Sequence, residues 1–299
     1  MCSFTSETVA LTFKVIIMKT ILVPIDFSSQ SKHALDLAAQ MAGKGRIKIE
    51  VINIIEGLTP SSFNTMGEGA TNYTEDEFFL KQLYDKTKEN LHNLIGQGKY
   101  SGLNISATVV VGNPYQSIAK AIADYNADLV VMGTKGSSGI DEVLIGSNTE
   151  KVVRYAKCPV ITLKSDVDFS KMKHIVLATN LNEPQPTVVK EIKKLQHLTG
   201  AKIHLVKVNT PNNFHTQRQS EAEFEKYVQT YSFDNYDTCL YNATSEEDGI
   251  LSYAEDVQAD LIAIGTHGRT GLLHLLSGSI AEDLVNHSQI PVWTLSLKK

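Results

Sequence analysis

The sequence predicts an α/β protein made of two tandem open parallel five-stranded sheets with flanking helices. Three observations carry this expectation. Short, β-branched, almost wholly apolar runs alternate with longer amphipathic stretches, the pattern of parallel strands covered on both faces by crossover helices. The alternation then runs a second time through the C-terminal half. The second run also echoes the first at a fixed distance: ADLVVMGT at 127–134 returns as ADLIAIGT at 259–266, Gly146-Ser147 as Gly278-Ser279, and Cys158-Pro159-Val160 as Ile290-Pro291-Val292, each 132 residues later. Three ungapped matches at one offset point to a duplicated domain.

Taken in order, the strands of the first half are expected at 20–25, 47–55, 105–111, 129–132 and 160–163. Helices are expected between them at 31–42, 75–95, 115–125 and 147–156. The second half gives strands at 174–178, 202–208, 236–241, 261–264 and 292–295. The acidic run Glu246-Glu247-Asp248 ahead of Ile250 and Leu251 reads as a helix start, where negative charge meets the positive dipole end. Polar residues from Lys164 onward separate the halves, giving domains at 18–164 and 172–299 with a linker at 165–171. Residues 57–72 are rich in Gly, Ser, Thr and Asn and have no period. They follow the second strand, so they belong at the carboxyl edge of the sheet, either as a surface loop or as a flap over that edge. Residues 1–17 read as an extension ahead of a natural start at Met18, with an ordered N-terminal strand as the alternative.

Composition narrows the function classes. The 299 residues suit two domains of ordinary size, and 42% hydrophobic with 20% charged residues is the profile of a globular protein. The net charge of −5, with no basic tract, argues against a nucleic-acid footprint. Cys2, Cys158 and Cys239 are too few and too far apart for a disulfide framework or a zinc site, which fits a reducing, cytoplasmic setting. No apolar run approaches about 18 residues, so no membrane span is expected. Residues 1–17 show neither a positively charged region nor a small-residue cleavage site, so a signal peptide is not expected. His267 and His274 lack an evident third metal ligand.

The chemistry concentrates after the fourth strand of each half. Gly133-Thr134-Lys135-Gly136, nine residues and Gly146-Ser147 match Gly265-Thr266-His267-Gly268, nine residues and Gly278-Ser279, so both follow G-x2-G-x9-G-S. The first glycines let the backbone turn tightly at a strand end and come close to a ligand. Gly146-Ser147 opens a helix whose free amides and positive end attract phosphate. Ser147, Asn148 and Thr149 add donors or cap that helix. One copy alone would be a strand-to-loop turn and an N-cap; two at one spacing point to a phosphate site.

These residues resemble the universal stress protein family in its tandem form. The opening Ile21-Leu22-Val23-Pro24-Ile25-Asp26-Phe27-Ser28 and the motif from Met132 to Asn148 carry the resemblance, which covers the chain from about Met18 onward. The resemblance implies a Rossmann-like fold of the adenine nucleotide α-hydrolase-like kind. The complete glycine motif is characteristic of the family's ATP-binding branch. It implies an adenine nucleotide (ATP, ADP or AMP, with or without Mg2+) held by Pro24 and Asp26 after the first strand, Ile54 beside the base and Met132 near base and ribose. Gly133, Thr134, Lys135, Gly136, Gly146, Ser147, Asn148 and Thr149 would surround the phosphates. By itself Lys135 reads equally well as a solvated loop lysine. The second half departs from the pattern, with Asn180 where Asp26 stands and Ala178 in place of Pro24. Its counterpart site would use Asn180, Val208, Ile264, Gly265, Thr266, His267, Gly268, Gly278, Ser279 and Ile280. Single-domain members of the family form dimers, so the halves are expected to pair as an internal pseudo-dimer through the strands ending at Leu163 and Leu295. Homodimerisation of the whole chain stays open.

The expected function is a stress-response regulator that binds ATP. Two alternatives stand beside it: a slow ATPase assisted by Asp26 or Ser147, and a scaffold with vestigial loops. The sequence contains no G-x-S-x-G, Walker-type or H-E-x-x-H motif, and phosphoryl transfer needs a metal-holding carboxylate that the sequence does not single out.

Overall fold

The computed structural model of the chain describes residues 17–56, 73–135, 145–181, 184–266 and 280–297. The loop at 57–72 and nearly all of the N-terminal extension lie outside them. The first lobe runs β1 (Thr20–Pro24), α1 (Ser29–Lys44), β2 (Lys48–Ile55), α2 (Tyr73–Ile95), β3 (Ile105–Val111), α3 (Pro114–Asp124), β4 (Leu129–Gly133), α4 (Ser147–Tyr155) and β5 (Val160–Leu163). The second lobe runs β6 (His174–Ala178), α5 (Pro186–Thr199), β7 (Lys202–Asn209), α6 (Gln217–Tyr231), β8 (Tyr236–Asn242), α7 (Glu246–Asp256), β9 (Leu261–Thr266), α8 (Ile280–His287) and β10 (Val292–Ser296).

The strand order is β3-β2-β1-β4-β5-β10-β9-β6-β7-β8. The two five-stranded halves pair through β5 and β10, the strands ending near Leu163 and Leu295 as expected, and so form one continuous sheet of ten. Among the described strands, neighbours within each lobe are parallel and the junction is antiparallel, with Trp293 opposite Ile161 and Thr294 opposite Val160. The physical reason is edge protection. β5 and β10 each end a lobe with a row of unpaired backbone groups. Each is short and buried, and Trp293 is among the most deeply buried large side chains. Pairing satisfies both edges and removes that apolar surface from water.

Side chains alternate along the strands between two core layers. Ile21 and Val23 pack on one face with α1 residues Leu35, Leu37 and Met41. Leu22 packs on the other face with Val130, Ile118 and Val152. A strand buried on both faces must be apolar throughout, as the uninterrupted sequence runs indicate.

Local chemistry sets the helix starts. Ser28 caps α1 by accepting from the Ser31 amide, and Asn113 caps α3 ahead of Pro114. Thr216 and Gln219 form a capping box on α6. Ser245 caps α7, whose first turn holds the acidic run. The connection between lobes is strapped to α1: Gln40 accepts from the Phe169 amide and donates to the Val167 carbonyl.

This order fixes where a ligand can sit. From β1 the chain winds outward to β2 and β3, then returns to the other side of β1 as β4. The carboxyl ends of β1 and β4 therefore form a topological switch point, the crevice where open α/β sheets bind ligands. β6 and β9 repeat it in the second lobe.

Candidate functional site

The crevice of the first lobe is built from the ends of β1, β2 and β4 and the start of α4. Pro24 ends β1 and lacks an amide hydrogen. Pairing resumes just beyond it, where the Ile25 amide donates to Ile52 O at 2.8 Å and buried Asn53 Nδ2 donates to Ile25 O at 2.7 Å. Asp26 follows, half-buried. Its Oδ1 accepts from the Ser28 amide at 3.0 Å and the Ser28 hydroxyl at 2.6 Å. Phe27 between them takes a left-handed φ of 66°. This tight turn holds the carboxylate beside the first turn of α1, at the mouth of the switch point.

Gly133 ends β4 under α1. A Cβ there would lie 2.7 Å from Gln30 Cβ and 3.1 Å from the Gln30 carbonyl carbon, so glycine is what lets the helix sit this close. Gln30 Oε1 accepts from the Thr134 hydroxyl at 3.1 Å and the Lys135 amide at 2.7 Å. The chain leaves the described residues after Lys135 and returns at Ile145, and the Gly146 amide donates to Thr134 O at 2.8 Å, closing the loop's neck. Gly146 is the N-cap of α4, and among the described residues no side chain caps the helix. Ser147 is exposed, Asn148 half-buried, and buried Thr149 donates its hydroxyl to Gly133 O at 3.1 Å. The first-turn amides of α4 thus meet the crevice with the positive end of the helix behind them.

Thr134 and Thr149 are therefore ties that shape the loop, and their hydroxyls are spent on protein partners. Met132 is buried with Ile52 and Leu22 beneath the crevice, and Ile54 packs half-exposed against the same cluster. Gly136 lies outside the described residues. Sequence reasoning missed Gln30, Lys164 and Asn286. Lys164 follows β5, and its Nζ donates to Asn286 O at 2.5 Å. Burial first, and then the positive charge of Lys135, hold its pKa below the ordinary lysine value. An anion beside Lys164 would offset both causes.

The universal stress protein family model matches residues 18–164 and 242–296, most of the chain. The chain belongs to the universal stress protein family. It is 27% identical over 167 residues to a universal stress protein of Staphylococcus aureus strain USA300, covering 55% of this chain and 95% of that one. In fold it resembles the crystal structure of a universal stress protein from Archaeoglobus fulgidus, with a TM-score of 0.70 at 20% identity over 93% of this chain and 98% of that one. A half-length universal stress protein solved in complex with cAMP aligns with 50% of this chain at 22% identity and a TM-score of 0.34.

This universal stress protein is not symmetric between its lobes. Gly265 stands where Gly133 does, but its missing Cβ faces Val188: a methyl there would lie 2.4 Å from Val188 Cγ2. An apolar residue thus occupies the place where Gln30 gathers the loop in the first lobe. Asn180 is exposed, and neighbouring Leu181 has the same left-handed φ as Phe27, at 63°. Val208 is buried under α7, against Gly249, whose added Cβ would lie 2.5 Å from Val208 Cγ1. Its counterpart Ile54 is half-exposed. Ile264 is buried in the core, Gly265 and Thr266 are half-buried, and Ile280 begins α8 half-buried. Ala178 ends β6 in the position of Pro24. His267, Gly268, Gly278 and Ser279 lie outside the described residues.

Proposed function

We propose that this chain is an adenine-nucleotide-binding regulatory protein whose principal site is the switch-point crevice of the first lobe. Asp26 would accept from the ribose hydroxyls, with Pro24 beside it, and Ile54 would pack beside the base above the buried Met132. The phosphates would lie against the first-turn amides of Ser147, Asn148 and Thr149 beyond the Gly146 N-cap, flanked by Lys135 and Lys164. The observation that carries this reading is the start of α4. It is a helix N-terminus with a glycine at its N-cap and no side-chain cap among the described residues, aimed into the switch point, beside Lys135 and a Lys164 whose burial, with the charge of Lys135, disfavours its protonation.

The residues present fit the group. Gly133 lets α1 close over the end of β4, and the neck of the loop is already closed by the Gly146–Thr134 bond. When Mg2+ accompanies the nucleotide, the phosphates would carry it, since hard cations in nucleotide sites take phosphate oxygens and water. The Asn180 side of the second lobe would bind more weakly. An amide offers one acceptor oxygen where a carboxylate offers two, and Val208 is covered. A cytoplasmic setting belongs to this reading, supported by the free thiols Cys158 and Cys239. Isothermal titration with ATP tests it. Micromolar or tighter binding, lost in Gly146→Val, supports the reading, and no heat at millimolar ATP defeats it. Sustained ATP turnover that disappears in the same variant would replace it with an enzymatic one.

A further inference from the structure

We propose that Asn286, a residue of the second lobe, positions the phosphate-facing start of α4 in the first lobe, so that the two lobes form one binding unit. The inference rests on the nucleotide reading above and adds the residue that holds the start of α4 in place. Asn286 lies in the last turn of α8. Its side chain reaches across the β5–β10 junction, where Oδ1 accepts from the Ile145 amide at 2.8 Å. Ile145 immediately precedes Gly146, the N-cap of α4. The backbone carbonyl of Asn286 accepts from Lys164 Nζ at 2.5 Å. One residue of the second lobe therefore grips both the returning loop and the cation at the end of β5.

The first lobe supplies two further ties, Gly146 N to Thr134 O and the Thr149 hydroxyl to Gly133 O. Together the three fix residues 145, 146 and 149. They bracket the amides of Ser147 and Asn148, which no side chain among the described residues caps. An oxyanion gains most from donors already aimed before it arrives, because their alignment costs nothing at binding. Releasing Ile145 loosens the upstream bracket and lets those amides swing, so the loss falls on the phosphates and spares the nucleoside end.

The repeat shows that this contact is particular to its position. Arg154 stands 132 residues before Asn286, and Lys164 the same distance before Ser296. The backbone contacts obey this relation, since the Ser296 hydroxyl donates to Arg154 O at 2.9 Å just as Lys164 donates to Asn286 O. The side chains do not. Arg154 forks onto Glu282 of α8, at 2.7 and 2.6 Å. Asn286 is short and offers an acceptor, and it is committed to the Ile145 amide. The duplicated position thus holds a lobe-to-lobe clasp on one side and a loop support on the other.

The test titrates ATP and adenosine separately into wild type, Asn286→Ala and Glu282→Gln. The expected result is ATP binding to wild type that weakens about fivefold in Asn286→Ala, the net worth of one hydrogen bond, with adenosine affinity unchanged. In Glu282→Gln, which weakens the lobe-to-lobe clasp with Arg154, the ATP-to-adenosine ratio should stay at the wild-type value. If wild type fails to bind ATP, the nucleotide reading falls and this proposal falls with it. If wild type binds but Asn286→Ala keeps the wild-type ratio, or Glu282→Gln lowers it equally, the positioning role is overturned and the site itself stands. Hydrogen exchange on the wild-type protein covers the case in which Asn286→Ala does not fold. ATP should slow exchange at both 145–150 and 281–287, and protection confined to the first lobe would overturn the proposal.

Discussion

Gly133→Ala is the substitution from which the architecture of the crevice is most exposed to refutation. The new methyl would sit 2.7 Å from Gln30 Cβ and 3.1 Å from the Gln30 carbonyl carbon. Both atoms belong to the first turn of α1, so no rotamer change relieves the contact and the helix start must move. Overpacking of this kind costs about 1–3 kcal/mol. The displacement also pulls Gln30 Oε1 from the Thr134 hydroxyl and the Lys135 amide. A total of about 2–3 kcal/mol is expected, a fall of several degrees in Tm at roughly 2–4 °C per kcal/mol. Gly265→Ala meets a side chain instead, Val188 Cγ2 at 2.4 Å. Shortening that side chain with Val188→Ala makes room, so the double variant should cost about 1–2 kcal/mol less than the two single costs together. Gln30→Ala leaves both obstructing atoms in place, so the Gln30→Ala/Gly133→Ala double should be no more stable than Gly133→Ala alone. Calorimetric melting of the five variants checks this. A Gly133→Ala protein as stable as wild type would mean that α1 does not press on β4 as described, and the crevice would lose its floor.

Two further outcomes follow from polar groups in the second lobe. Lys207 is 2% exposed, and its Nζ meets Glu223 Oε2 at 2.5 Å; Glu223→Ala should therefore cost about 3 kcal/mol by leaving the buried cation unpaired, whereas a Lys207→Met/Glu223→Leu double should recover most of it in urea unfolding. His204 is buried against His174, Asp237 and Lys202. Burial is the main cause holding its pKa below the ordinary histidine value, with the charges of His174 and Lys202 adding to it and Asp237 opposing. A group whose folded pKa is depressed contributes fully above its unfolded pKa. His204 should thus cost the fold nothing above about pH 6.5 and weaken it as pH falls from there through the folded pKa. Melting at pH 7.5 and 5.5 should show a larger acid-side loss in wild type than in His204→Gln, and equal losses would contradict the buried neutral imidazole.

The regular parts of this fold were legible because parallel strands covered on both faces must be apolar at every position. Runs such as Leu129 to Met132 and Val160 to Leu163 therefore stand out from the amphipathic helices between them. The repeat did the rest for the second lobe. Helix ends were less legible. The first turn of α1 is polar, Ser29-Gln30-Ser31, and is held by the Ser28 cap, so apolar periodicity starts the helix late. The joining of two sheets into one was signalled by the apolar strands ending at Leu163 and Leu295, though their continuous pairing is a property of edges that no single strand displays. At the site, the glycines and the helix start were readable because they answer to backbone needs. Gln30, Lys164 and Asn286 were not. Each acts through a contact more than a hundred residues away in the chain, and none of the three belongs to a motif. The contrast between Gln30 and Val188 was equally hidden, since the repeat aligns the glycines but not the side chains that face them.

The measurement that bears most directly on the account is mass spectrometry of small molecules released when the purified protein is denatured, counted against the protein chain. The account predicts an adenine nucleotide at close to one per chain, falling to background when Gly146 is replaced by valine. Release of no nucleotide from wild type, together with none taken up from millimolar ATP before denaturation, would contradict it.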